Sequence, residues 1–237
     1  MDDDRLAGIR SEIRKHADDR RAKNLRWFFR AVPGGYGEGD VFLGLRVPLV
    51  RKLAGKYGDT TLRDLGRLLC SEVHEERLLS LCILVRQYDK GDETIRARIC
   101  RLYLRCIRHI NNWDLVDISA PRILGRHLHQ CDHSLLMKLA RSRSVWERRI
   151  AVLATFYFIR QCEYDEALRI GDTLLHDAED LIHKAVGWML REIGNRSLET
   201  EEAFLKDRYS SMPRTMLRYA IEKFPEEKRR RYLLGTI

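Results

Sequence analysis

Arg77, Trp113, Arg149 and Lys184 recur at intervals of 36, 36 and 35 residues along the chain. Four residues beyond each stand Leu81, Asp117, Leu153 and Trp188. A fixed period of this length marks a stacked helical repeat. It calls for helix pairs that bury their apolar faces on their neighbours, not for one closed core. Positions i and i+4 share a helix face, so the two columns are expected to form one stripe across successive repeats. The stripe holds three cations, two tryptophans and a single carboxylate, Asp117. Two readings are open for that acid: a carboxylate at the edge of the core paired with an arginine, or a functional group.

The apolar spacing supports helices on both sides of this stretch. Leu78, Leu81, Cys82 and Val85 follow i, i+3, i+4, i+7, as do Ile150, Leu153, Ala154 and Tyr157, and Val186, Met189, Leu190 and Ile193. Residues 3–30 read as two short helices. Spans are then expected at 48–57, 60–72, 74–88, 92–109, 113–127, 132–142, 145–160, 163–175, 178–194, 199–208, 212–223 and 225–234. Asp132, Ser144, Asp177 and Ser197 are candidate helix openers. Between the two blocks lies Pro33-Gly34-Gly35-Tyr36-Gly37-Glu38-Gly39-Asp40, a loop by its glycine density. It lacks the GxxxxGK[ST] pattern of a nucleotide cradle. Residues 41–48 read as an extended segment capping the first repeat, with Pro48 in the first turn of the next helix. The fold class is therefore all-α, a superhelical solenoid of antiparallel helix pairs forming one domain over residues 1–237.

Composition narrows the partners. A formal net charge of +9 and a pI of about 9.4 favour an anionic partner, nucleic acid before a membrane surface. The six cysteines form no CxxC pair and mostly fall in apolar runs, as reduced core residues of a cytoplasmic protein would. Met1-Asp2-Asp3-Asp4 has no apolar core, so no targeting segment is expected there. His127, His129, Cys131 and His133 crowd one loop without a standard ligand spacing, and no metal or other cofactor is expected. His74, His109 and His183 read as surface or helix-end residues. The cluster Lys228-Arg229-Arg230-Arg231 reads equally as a solvated helix end or a phosphate contact.

The stripe carries the chemistry. Arg77, Arg149 and Lys184 head it, Arg191 continues its face, and Arg148, Arg214 and Arg218 flank it. A wall of cations at repeat spacing suits a nucleic-acid backbone. Trp113 and Trp188 lie outside the apolar register, as ligand-facing or inward-turned rings. Trp27 and Trp146 are expected to pack inside. A lone carboxylate among cations and aromatic rings can stabilise a sugar cation as a glycosidic bond breaks, or orient a water.

At these residues the chain resembles the AlkD-type DNA alkylation repair enzymes, which are HEAT-like repeat DNA glycosylases. The resemblance covers about residues 25–235. Its pieces are Gly35-Tyr36-Gly37-Glu38-Gly39-Asp40 running into Phe42-Leu43-Gly44-Leu45-Arg46-Val47-Pro48, Trp113-Asp114-Leu115-Val116-Asp117, Trp146-Glu147-Arg148-Arg149-Ile150-Ala151, and Lys184-Ala185-Val186-Gly187-Trp188-Met189-Leu190-Arg191-Glu192. It implies a catalytic Asp117, lesion-contacting Trp113 and Trp188, and an active-site arginine at Arg149, with Arg148 as the alternative. Tyr36, Arg46, Arg77, Arg148, Lys184, Arg191 and Arg218 become the DNA contacts. The implied activity is hydrolytic excision of N3- and N7-alkylated purines from double-stranded DNA by a monomer, without base flipping. Asn111-Asn112 before Trp113 departs from the family pattern and puts the local loop contacts in question. A non-catalytic DNA-binding repeat protein and a protein-binding HEAT scaffold are the competing readings. An acid facing phosphates argues against the first, since it would repel them.

Overall fold

The computed structural model describes residues 2–237, with side chains from Arg5 onward; Met1 and the acidic side chains of Asp2, Asp3 and Asp4 lie outside them. The described residues are 70% helical and contain no strands. They divide into two compact units, which split between Ser119 and Ala120.

The first unit contains α1 (Asp2–Lys15), α2 (Asp19–Phe28), α3 (Val47–Lys56), α4 (Leu62–Leu69), α5 (His74–Lys90), α6 (Glu93–Arg105) and α7 (Trp113–Ser119). Local signals set the helix starts. Asp18, Thr61 and Asp92 each accept a backbone N–H three residues on, at 2.9, 3.2 and 2.8 Å. The centre of the unit is α5, which packs against α3, α4 and α7. Leu79, Leu81, Ile83 and Leu84 of α5 are fully enclosed, and so are Leu65, Leu68 and Leu69 of α4. Each such side chain contributes about 1.5–3 kcal/mol by leaving water.

The extended segment expected over 41–48 is non-helical only over 41–46, because α3 already begins at Val47. Val41 forms an isolated parallel bridge with Val73. The buried carboxylate of Glu75 accepts the N–H groups of Leu43, Gly44 and Leu45 at 2.7–3.2 Å. Gly44 has φ +86°, and a Cβ there would lie 2.3 Å from the Asp18 carbonyl oxygen. Only glycine fits both demands. Pro48 takes the first turn of α3.

The second unit contains a π-helical turn (Pro121–Gly125), α8 (Arg126–Leu128), α9 (Ser134–Ala140), α10 (Val145–Arg160), α11 (Asp165–Thr173), α12 (Asp180–Gly194), α13 (Leu198–Lys206), α14 (Arg214–Ala220) and α15 (Glu226–Leu234). α10 packs on α9, α11 and α12, and α12 on α13 and α14. Ile150, Leu153 and Ala154 meet no solvent, and neither do Ile182, Ala185 and Ile193. Ser144 and Ser197 cap α10 and α13, while Asp132 and Asp177 form turns just ahead of α9 and α12.

Several expectations are corrected. The helix expected over 113–127 is interrupted: Gly125 N–H reaches back to Ala120 O at 2.8 Å, five residues away. Pro121 has no N–H to donate, and its ring disturbs the ordinary ladder. The span 92–109 ends at Arg105 and finishes as a 3₁₀ turn over Ile107–His109. Trp27 is 77% exposed rather than packed, because only Phe29 at the end of this segment turns inward. Trp146 is half-buried. Cys70, Cys131 and Cys162 are exposed, since they stand at helix ends and turns where the apolar face has run out.

Glu201 on α13 is buried against Gly194 of α12. Burial, with the charge of Glu202, pushes its carboxyl up to about 8, and Arg191 opposes the shift. Between the ordinary carboxyl value of 4.5 and about 8 the folded form holds a proton that the unfolded chain has released. Stability is therefore expected to fall as pH rises through this window, by roughly 1.4 kcal/mol per unit at most. Urea unfolding should show Glu201→Gln flattening this slope and exceeding the wild type at pH 8.5. Parallel curves for the two proteins would contradict the assignment.

Candidate active site and nucleic-acid interface

In the first unit α7 opens on Trp113, whose N–H is accepted by the buried Asn112 side chain at 2.9 Å. The indole is half-buried. It stacks on Phe29 at 5.3 Å and meets the edge of Phe28 at 5.7 Å. Asp117 follows one turn later on the same face, also half-buried. Burial, and to a smaller extent the Asp117 charge, raises the phenol pKa of Tyr103.

Beneath Trp113 lies a group that the sequence pattern did not reveal. His74 is not a surface histidine. It is 2% exposed and lies against the rings of Phe29 and Phe42 at 4.9 and 4.7 Å. Its Nε2 is 2.8 Å from Asp114 Oδ2 and its Nδ1 is 3.4 Å from Asp40 Oδ2. Asp40 also accepts from Asn111 at 3.0 Å and pairs with Arg77 at 2.7 Å. Burial opposes charge on the imidazole, but its hydrogen bonds to Asp114 and Asp40 outweigh it and raise the pKa. Burial likewise opposes charge on Asp40, yet His74, Arg77 and Asn111 hold its carboxyl below the usual range. This network fixes the loop before α7 and the first turn of α7. Asn111, the departure from the family pattern, is one of its members. Asp40 and Asp114 both stood inside the resembling motifs, the one available signal, but nothing there linked them to His74.

The surface stripe is corrected in two ways. Leu81 and Leu153 are core residues at 0% exposure, and Arg77 and Arg149 are 2% and 5% exposed. The repeat register also slides by one residue. Arg77 donates to the carbonyl six residues back, Ser71 O, at 2.7 Å. Arg148 does the same to Ser142 O at 3.0 Å, and His183 Nε2 to Asp177 O at 2.5 Å. In each case the side chain of that earlier residue accepts the N–H two residues on. Arg77 thus corresponds to Arg148 and His183, not to Arg149 and Lys184. The guanidiniums of Arg77 and Arg148 hold their own repeats together, and Arg77 is enclosed.

In the second unit Arg148 is also bound by Asp177, at 2.7 and 3.2 Å. Arg149 donates to Leu181 O at 2.6 Å. Trp188 is half-buried, lies 5.8 Å from the Phe156 ring and donates to Glu192 at 3.2 Å. Beside it Gly187 admits α14: a Cβ there would lie 2.5 Å from Met216 O. Lys184 pairs with Asp180 at 2.7 Å, and Arg191 pairs with Glu222. Arg218 is exposed, as is Arg46 in the first unit, while Tyr36 is half-buried with Arg30 5.9 Å from its ring. In the histidine-rich loop His129 faces Glu163 at 3.0 Å and His133 faces Glu166 at 3.3 Å. Among the described residues no three His, Cys, Asp or Glu side chains group closely enough to hold a metal ion, and no helix is long and apolar enough to cross a membrane.

A solved structure described as a predicted DNA alkylation repair enzyme from Enterococcus faecalis is similar to this chain with a TM-score of 0.66. The similarity covers 89% of this chain and 98% of that one at 14% identity, which is a likeness of fold. No curated protein matches the chain. The family model for DNA alkylation repair enzymes matches residues 9–224, nearly the whole sequence, and the chain belongs to that family.

Proposed function

We propose that the chain is a monofunctional DNA glycosylase that excises cationic N3- and N7-alkylated purines from duplex DNA. The observation that carries this reading is the face of α7. There Trp113 and Asp117 stand one turn apart and half-buried, while Asp114 is committed to His74. In this reading the Asp117 carboxylate stabilises positive charge on the sugar as the N-glycosidic bond breaks. The base leaves with the bonding electron pair, which neutralises its own positive charge. Water then bonds to the sugar carbon and releases a proton. Trp113 offers an aromatic face to the same charge. Trp188 and Arg149 of the second unit are the other proposed active-site residues, the chain acts as one domain and one monomer, and the base is not flipped into a pocket. Arg46, Arg218, Lys184 and Arg191, with Tyr36, are the proposed DNA contacts. Arg77 and Arg148 act through the repeats they clamp.

A carboxylate site of this kind has no use for a base that needs a proton in order to leave. General acid catalysis contributes about 10²–10⁴-fold where it operates. Release of 7-methylguanine and 3-methyladenine is therefore expected to exceed release of uracil or hypoxanthine at least about 100-fold in the same duplex context, with no strand cleavage. Chromatography of the bases released from each duplex measures this. Efficient release of either neutral base would overturn the electrostatic mechanism, and release of none would leave a DNA-binding protein without this activity.

A further inference from the structure

A groove of about 550 Å³ in the first unit is walled by Arg63 and Arg67 of α4 and by Arg98, Arg101 and Arg105 of α6. No carboxylate lines it. Arg63, Arg98 and Arg101 are exposed, and among the described residues none of the three forms an ion pair. Arg98 also lines the adjoining groove, where Arg86 and Lys90 stand and the sole lining acid, Asp59, pairs with Arg5. None of these residues belongs to the site proposed above. Cations gathered this densely repel one another and focus a positive potential. An anion that bridges them relieves the repulsion.

The spacing selects the kind of anion. Arg98, Arg101 and Arg105 follow i, i+3, i+7 on one face of α6 and span roughly 10 Å of its axis. Arg63 and Arg67 follow i, i+4 on the facing helix. Two facing rows of this length suit a run of phosphates rather than one ion. Arginine grips phosphate through two parallel N–H donors. We propose that the α4–α6 groove binds the phosphate backbone of a second DNA segment, separate from the one that presents the lesion. The choice of DNA as the polymer rests on the function proposed above. The groove gives the protein a second hold by which it passes between duplexes.

The test uses the full chain and a triple variant, Arg63→Gln/Arg98→Gln/Arg101→Gln, whose exposed positions leave the core untouched. Protein held on an immobilised unmodified duplex is offered a second, labelled unmodified duplex. The wild type is expected to capture it, and the triple variant to capture at least about tenfold less. The slope of log affinity against log salt is expected to fall by about 2–3 in the variant. Capture needs no bond breaking, so it remains readable if base release fails. Single-turnover release from alkylated duplex is expected to stay within about twofold. Equal capture by both proteins, or no capture by the wild type, overturns the proposal. A parallel loss of base release overturns it too, because the groove would then serve the lesion-bearing segment. Thermal stabilisation by inorganic phosphate without duplex capture would show a small-anion site instead.

Discussion

Asp117→Asn is expected to slow single-turnover base release by about 10²–10³-fold, the usual effect of removing one preorganised electrostatic group. Duplex affinity should hold or rise, because the variant keeps the size of the side chain and loses a charge that repels phosphate. That division marks an interaction made in the transition state rather than on binding. Trp113→Ala and Trp188→Ala should give smaller losses, about tenfold, since an aromatic face stabilises positive charge less than a carboxylate does. Trp113 also packs on Phe29, so its variant should lose some stability as well. A wild-type rate in Asp117→Asn would remove this residue from the mechanism.

His74→Ala should destabilise the first unit by about 3–5 kcal/mol, because it removes the buried partner of Asp114 and leaves Asp40 with only Arg77 and Asn111. For a chain of this size that is on the order of 10 °C in melting temperature. The pH dependence follows from the two shifts. The raised His74 pKa gives stability that is complete below 6.5 and lost as pH rises through the folded value. The lowered Asp40 pKa gives stability that is complete above 3.8 and lost as pH falls through its folded value. The wild type should thus exceed His74→Ala most between these limits, and the gap should shrink at alkaline pH. Melting curves of both proteins from pH 4 to 9 measure this. A difference below about 0.5 kcal/mol throughout would show that Asp40 and Asp114 find other partners.

The helices were legible in the sequence because burial imposes a period that propensity and capping reinforce; α10 runs over the same 145–160 as its apolar spacing. The extended run before Pro48 was legible for the converse reason, having glycine and proline but no helical period. The clamp register was hidden. Its three members are Arg, Arg and His, and Arg148 sits next to Arg149, so matching residue types chose the wrong neighbour. His74 was hidden by distance: its partners lie 34 and 40 residues away, and only the tertiary fold joins them. Trp27 misled because an aromatic run at a helix end resembles a core segment, while the helix it ends buries none of its residues.

The Glu75 carboxylate joins distant stretches of the first unit through one short segment. The amides of Leu43, Gly44 and Leu45 find their acceptor about 30 residues later in sequence. Asp18 and Arg21 in turn lean on Leu43 O and Gly44 O. The start of α2 therefore keeps its place through a segment that the start of α5 holds.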